Sequence, residues 1–314
     1  MSTAPALQIR DLGKRFRDKT ALDGVDLEVA EGSIFGFLGP NGAGKTTTIR
    51  ILLGLARATS GRAEIFGQDV ATAGNDLRRQ VGHLPDVPGF YPWMTAPGFL
   101  AFTGRLFGLD RATIAERSDA LLAMAGLNGV EHKVGGFSRG MKQRLGIAQA
   151  LMNAPRLLIL DEPTSALDPT GRKEVLDMIA ALKGRTTVLF STHILGDVER
   201  VCDEVAILAD GRVVTQQGLH QLKACYGGQT KVLIKVTSQA DAFTAALRAE
   251  PWVSSVEVTA DGLLVASTDL AAAAHRVPAL CVSTGAALQR LEPVEASLED
   301  VFLDLVQHPR GAVA

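Results

Sequence analysis

Apolar positions divide the chain into two textures. Up to about residue 220, short continuous apolar runs alternate with helical periodicities. Residues 34–38, 157–160 and 187–190 have the brevity of strands buried on both faces of a parallel sheet, and 81–84 reads as a further short strand. Residues 7–12 and 25–29 alternate instead. In the second of these Val25, Leu27 and Val29 face one way and Asp26 and Glu28 the other, which predicts two half-buried strands. Residues 47–53 predict a helix, and Ser60-Gly61 turns the chain into residues 63–66. From 96 to 127 the pattern is helical, with Phe99, Phe102, Leu106, Ile114, Leu121, Leu122 and Met124 at helical spacings, so this stretch predicts an α-subdomain. Leu145, Ile147, Ala148, Leu151 and Met152 form one more helical stripe, and a helix is expected over about 170–182.

From Thr230 the order becomes strand 232–236, helix 240–249, strand 253–258, strand 262–266, helix 270–282 and strand 287–291. This βαββαβ order predicts a small ferredoxin-like α+β module. Ser297 and Asp300 make a capping box, and Leu298, Val301, Phe302 and Leu305 mark a closing helix. Nothing in the segment reads as catalytic. It is either a packing and dimerisation module or a ligand sensor.

A length of 314 residues fits two domains, and 46% hydrophobic with 21% charged content fits a globular chain. The net charge of −2 supplies no bulk basic surplus, so no nucleic-acid partner is expected. Cys202, Cys225 and Cys281 are widely separated, without a C-x-x-C pair, and read as reduced thiols of a cytosolic protein. The first ten residues lack a signal-peptide core, and no apolar run is long enough to span a membrane.

The chemistry gathers where apolar runs end. After residues 34–38 comes Gly39-Pro40-Asn41-Gly42-Ala43-Gly44-Lys45-Thr46, which fits the phosphate-binding pattern G-x-x-x-x-G-K-[ST] between a strand and a helix. Its glycines let backbone N–H groups approach phosphate oxygens. Lys45 would reach the β and γ phosphates, and the Thr46 hydroxyl would ligate Mg²⁺. Residues 157–160 end at Asp161-Glu162, adjacent carboxylates that are costly there unless a cation or hydrogen bonds compensate; Mg²⁺ for Asp161 and a water for Glu162 would do so. Residues 187–190 deliver Ser191-Thr192-His193, and 81–84 end at Pro85-Asp86. Asp86 is either a ligand-facing carboxylate or a turn residue. Phe16, beside Lys14 and Arg15, either stacks on a nucleobase or packs into its sheet. Ser138 is a natural N-cap for the helix behind it, whose free N–H groups form either a second anion site or an ordinary capped terminus. Residues 90–94, with Phe90, Tyr91 and Trp93, compose either a binding surface or a local hydrophobic staple.

Taken together, these residues resemble the ATP-binding cassette family, the nucleotide-binding subunits of ABC transporters. The similarity spans about residues 5–220, with the motifs in family order: residues 39–46 resemble Walker A, Ser138-Arg139-Gly140-Met141 the signature, 157–162 Walker B, 165–168 the D-loop, and His193 the switch histidine. Phe137, Arg139 and Met141 depart from the family's Leu-Ser-Gly-Gly-Gln, and Asp86 stands where the family has a longer glutamine. The form Ser-Arg-Gly-Met-Lys-Gln-Arg resembles the branch that energises drug, antibiotic, polysaccharide and ion exporters.

The resemblance implies an α/β P-loop NTPase cassette over residues 5–224, with a parallel core sheet, an antiparallel β-subdomain and a helical subdomain at about 90–152. An accessory domain over 229–308 would follow. It implies an ATPase using ATP and Mg²⁺. Glu162, His193 and Asp86 would be catalytic, and Thr46, Asp161 and Asp86 would serve the metal. Phe16, Asn41, Gly42, Gly44, Lys45, Thr46, Thr47, Ser138, Gly140 and Asp168 would bind nucleotide. It further implies a head-to-tail pair of cassettes, a homodimer by expectation, docked on an integral-membrane permease at the inner face of the cell membrane. Residues 90–94 are the expected docking surface. Cassette proteins acting on nucleic acid or ribosomes, or holding ATP for regulation, are the alternatives.

Overall fold

The computed structural model describes residues 5–219, 221–222, 230–267 and 269–294. Two compact units part after Leu219.

The first unit is built on two sheets. Strands β1 (Leu7–Phe16), β2 (Lys19–Val29), β4 (Ser60–Ile65) and β5 (Gln68–Asp69) form an antiparallel sheet in the order β2-β1-β4-β5. β1 and β2 run longer than their alternation predicts, because register shifts between Ile9 and Leu12 and again before Lys14 interrupt the period of two. The second sheet has the order β10-β9-β3-β8-β7-β6, from β3 (Ile34–Leu38), β6 (Val81–Leu84), β7 (Leu157–Asp161), β8 (Thr187–Thr192), β9 (Glu204–Ala209) and β10 (Arg212–Gly218). All its pairings are parallel except the β9–β10 hairpin. Every residue of β3, β7 and β8 is buried, which is why these segments read as unbroken apolar runs.

Helix α1 (Lys45–Leu52) lies between the sheets, and one core unites Leu7, Val25 and Ile65 of the antiparallel sheet with Ile49 of α1 and Phe35, Ile159 and Leu189 of the parallel one. Phe35 is fully buried in that core. Phe35→Ala is expected to lower stability by about 3–5 kcal/mol, because the cavity it leaves adds to the lost transfer energy. A chemical-denaturation midpoint at the wild-type value would refute this.

Short α2 (Asn75–Arg79) leads into β6. The helical pattern over 96–127 resolves into α3 (Ala96–Leu106) and α4 (Arg111–Met124). Gly108, at φ 76°, permits the left-handed turn between them, and the Asp110 carboxylate caps α4 by accepting from the N–H groups of Ala112 and Thr113 at 2.9 and 3.0 Å. Helices α5 (Arg139–Leu151), α6 (Pro169–Ala180) and α7 (Leu195–Val201) complete the unit. Burial and the neighbouring Asp203 and Asp197 push the Cys202 thiol well up, so it stays protonated and unreactive.

The second unit contains β11 (Thr230–Val236), α8 (Ala240–Arg248), β12 (Val253–Thr259), β13 (Gly262–Ser267), α9 (Leu270–Thr284) and β14 (Leu288–Val294). Its fully antiparallel sheet runs β12-β13-β11-β14, the ferredoxin-like arrangement. Ile234, Phe243, Val265 and Val277 pack its core between the sheet and the two helices. The closing helix expected from Ser297 onward lies outside the described residues, as does Cys225.

Candidate nucleotide site

Sheet order brings the chemistry together. β3, β8, β7 and β6 are consecutive, parallel neighbours, so the segments leaving their C-terminal ends share one edge: residues 39–44 after β3, His193 after β8, Glu162 after β7 and Asp86 after β6.

The loop after β3 needs its glycines for two reasons. At Gly39 a Cβ would sit 2.3 Å from the Leu208 carbonyl oxygen, so only glycine lets the loop leave the sheet so close to β9. Gly44 adopts φ 116°, and a Cβ there would meet Leu22 Cδ2 at 2.6 Å and the Ala21 carbonyl oxygen at 2.8 Å. α1 begins immediately afterwards and directs its free N–H groups toward the loop.

Lys45 is buried, and its Nζ donates to the carbonyl oxygens of Gly39 at 2.6 Å and Pro40 at 3.3 Å. The same ammonium lies 3.2 Å from Glu162 Oε1, an ion pair off the line of a hydrogen bond. Glu162 Oε2 is 2.9 Å from His193 Nδ1. The Glu162 backbone is left-handed, at φ 50°, a conformation that costs a non-glycine residue about 1–3 kcal/mol. It is held by two contacts to β8, because its N–H donates to both the carbonyl oxygen and Oγ of Ser191, each at 3.1 Å. Ser191 Oγ in turn donates to Asp161 Oδ1 at 2.6 Å, which satisfies one oxygen of that buried carboxylate. On the same face as Asp161, His83 is partly buried; burial lowers its pKa, against a smaller opposing pull from Asp161.

A cavity of about 400 Å³ is lined by Phe16, Lys19, Ala21, residues 40–42 and 44–47 except Ala43, Asp86 and Glu162. It therefore joins nine sequence-derived site residues: Phe16, Asn41, Gly42, Gly44, Lys45, Thr46, Thr47, Asp86 and Glu162. Phe16 stays half exposed at its rim, with Lys14 Nζ 4.6 Å from the ring centroid. Lys19 and Ala21 enter the wall from the start of β2. No motif marks them, since only the β1–β2 hairpin register carries them there.

Asp161 and His193 are not part of that lining. Ser138, Gly140 and Asp168 also lie outside it and form a second group. Ser138 caps α5, its Oγ accepting from the Met141 N–H at 3.2 Å. A Cβ on Gly140 would stand 3.7 Å from Gly171 Cα, and one on Gly171 would stand 2.9 Å from Asp168 Oδ1, so the starts of α5 and α6 adjoin. The signature-like residues thus lie outside the lining of the cavity that their own chain forms.

Ser138 accepts from the N–H at N3 as a cap should, and Gly140 lets the two helix starts touch. Beside residues 90–94, Phe90 packs edge-on against Phe99 at 5.1 Å and Tyr91 against Phe102 at 5.5 Å, while Trp93 stays 63% exposed. Among the described residues no helix is long and apolar enough to cross a membrane.

The family model described as ABC transporter matches residues 22–165. The chain is 42% identical to the uncharacterized ABC transporter ATP-binding protein YxlF of Bacillus subtilis over 96% of its own length and 99% of that protein's. It is 36% identical to the bacitracin transport ATP-binding protein BcrA of Bacillus licheniformis, over 96% and 97% of the two chains. A dimeric ATP-binding cassette solved in a post-hydrolysis state with ADP and Pi is similar at a TM-score of 0.61 and 26% identity, covering 68% of this chain and 98% of that one.

Proposed function

Because the chain belongs to the ABC transporter family of ATP-binding proteins, we propose that it hydrolyses ATP as the paired motor subunit of an exporter whose membrane passage is a separate permease. The observation that carries this reading is the split between two groups: Lys45, Thr46 and Glu162 share a cavity, while Ser138, Gly140 and Asp168 sit together elsewhere on the same unit. Two copies set head to tail would complete each cavity with Ser138 and Gly140 of the partner subunit. Pairing is then coupled to nucleotide, and a homodimer is the simplest assembly. The solved cassette dimer with ADP and Pi supports pairing of this kind.

In this arrangement the adenine stacks on the half-exposed Phe16 ring, and the phosphates lie against the N–H groups of residues 42–47. Lys45 exchanges its carbonyl partners for phosphate oxygens. Glu162 accepts a proton from the attacking water, and His193, already 2.9 Å from it, fixes the carboxylate and faces the γ phosphate. The donors available to a metal are hard oxygens, the Thr46 hydroxyl and Asp86 carboxylate in the cavity and the buried Asp161 carboxylate that precedes Glu162 at the end of β7. This sparse all-oxygen set suits Mg²⁺, which keeps waters and phosphates as its remaining ligands, and the ion would neutralise charge on the β and γ phosphates.

The Phe90–Phe102 side of the helical subdomain borders a cavity of about 530 Å³ that includes Leu106 and Gln149. It suits a cytoplasmic helix of the permease, which would hold the chain at the inner membrane face. Substituting Phe90 and Tyr91 together by Ala is expected to abolish transport in reconstituted vesicles while leaving ATP affinity within about twofold, since neither side chain lines the cavity beside the loop at 39–46. Purification of the full chain with a candidate membrane permease tests the larger reading. ATP hydrolysis that depends on Mg²⁺ and rises with the permease is expected; a chain that holds ATP without turnover, alone or in complex, would overturn it.

A further inference from the structure

Asp197 is fully buried in α7, yet it is a carboxylate. Both its oxygens are engaged: Oδ2 accepts from Thr164 Oγ1 at 2.5 Å and Oδ1 from Arg172 Nε at 2.5 Å. Thr164 is itself 1% exposed and lies two residues beyond Glu162. Arg172 is on the first turn of α6, where its N–H bonds the Asp168 carbonyl oxygen. α7 begins two residues after His193, and Thr192 Oγ1 accepts from the Ile194 N–H at 3.0 Å to start that turn. One side chain therefore ties together the segments that carry Glu162, His193 and Asp168.

An ion pair between a buried carboxylate and the partly exposed Arg172 gives little net stability, since desolvation of Asp197 offsets the attraction. What it does supply is a fixed geometry. We infer that Asp197 is a positioning residue: through Thr164 and Arg172 it sets the His193–Glu162 contact and locks it to the start of α6. The inference rests on the hydrolytic roles proposed for Glu162 and His193. It assigns Asp197 no contact with nucleotide, because the residue is absent from the cavity lining.

Asp197→Asn tests it with an almost unchanged shape. The amide keeps its oxygen for Arg172 Nε, but the charge of the pair is lost and its NH₂ takes the place of Oδ2, where the Thr164 hydroxyl must turn from donating to accepting. Thr164→Val removes one hydrogen bond alone and guards against a misfolded Asn variant. In the full chain, both variants are expected to lose about tenfold to a hundredfold in kcat, the cost of catalytic groups displaced by an ångström or less, with Kd for a non-hydrolysable ATP analogue within about twofold. The imidazole NMR signals of His193, assigned among the 6 histidines by a His193→Gln spectrum, are expected to shift in both variants. A Thr164→Val chain with wild-type kcat and unmoved His193 signals would overturn the inference. Absence of hydrolysis in the wild type would sink the proposed function instead, and the His193 signals would still decide on Asp197.

Discussion

Glu162→Gln is expected to lower the rate of ATP turnover by about 10²–10³ while nucleotide binding stays intact. Glutamine keeps the length of the side chain and an oxygen that can still face Lys45 Nζ, now 3.2 Å from Glu162 Oε1. It cannot take a proton from water, and it brings an amide donor to the place where His193 meets Oε2. The change therefore removes the proposed base with little disturbance of the loop. Paired chains should accumulate, because ATP that closes them is no longer cleaved; size-exclusion chromatography with ATP and Mg²⁺ would show a stable dimer for the variant and a transient one for the wild type. Turnover within a few-fold of wild type would mean that another group activates the water.

Lys45→Met should act one step earlier, on binding. Methionine preserves the buried stem and removes the ammonium. The two charge-assisted hydrogen bonds to phosphate proposed for Lys45, each about 1.5–3 kcal/mol, would be lost, so Kd for ATP should rise roughly a hundredfold or more. The Gly39 and Pro40 carbonyl oxygens that now accept from Nζ would be left without that donor, which should also loosen the loop. Titration with a fluorescent ATP analogue measures the effect. A Kd within threefold of wild type would show that the backbone N–H groups of the loop hold the phosphates unaided.

How much of this was legible in the sequence follows from the range over which each feature acts. The phosphate loop is local: its glycines, Lys45 and Thr46 are fixed by eight consecutive residues, and the apolar run before them marks the strand. The ends of β6, β7 and β8 were legible for the same reason, since fully buried strands are continuous and their last residues stand out as polar. The strands β1 and β2 were read too short, because bulged residues such as Asp11, at φ 48°, break the alternation on which such reading depends. Gly108 and Asp110 held the signal that splits the helical pattern after residue 96, but periodicity alone runs across it.

The roles of Lys19, Ser191 and Asp197 were illegible. Ser191 acts on a residue 29 positions away and Asp197 on one 33 away, and nothing in local composition tells a tethering hydroxyl or carboxylate from a solvated one. Ser138, Gly140 and Asp168 were identified by resemblance, and the structure adds that they adjoin each other apart from the cavity.

The strand order β3-β8-β7 bears on how the protein is made. β3 pairs with β8, so the phosphate loop hangs from a strand whose neighbours, β8 and β9, leave the ribosome some 150 residues later. Until then β3 is an uncovered apolar segment, a natural client for a holding chaperone. The ability to hold ATP, on the reading proposed above, thus switches on only when translation of the cassette is almost over.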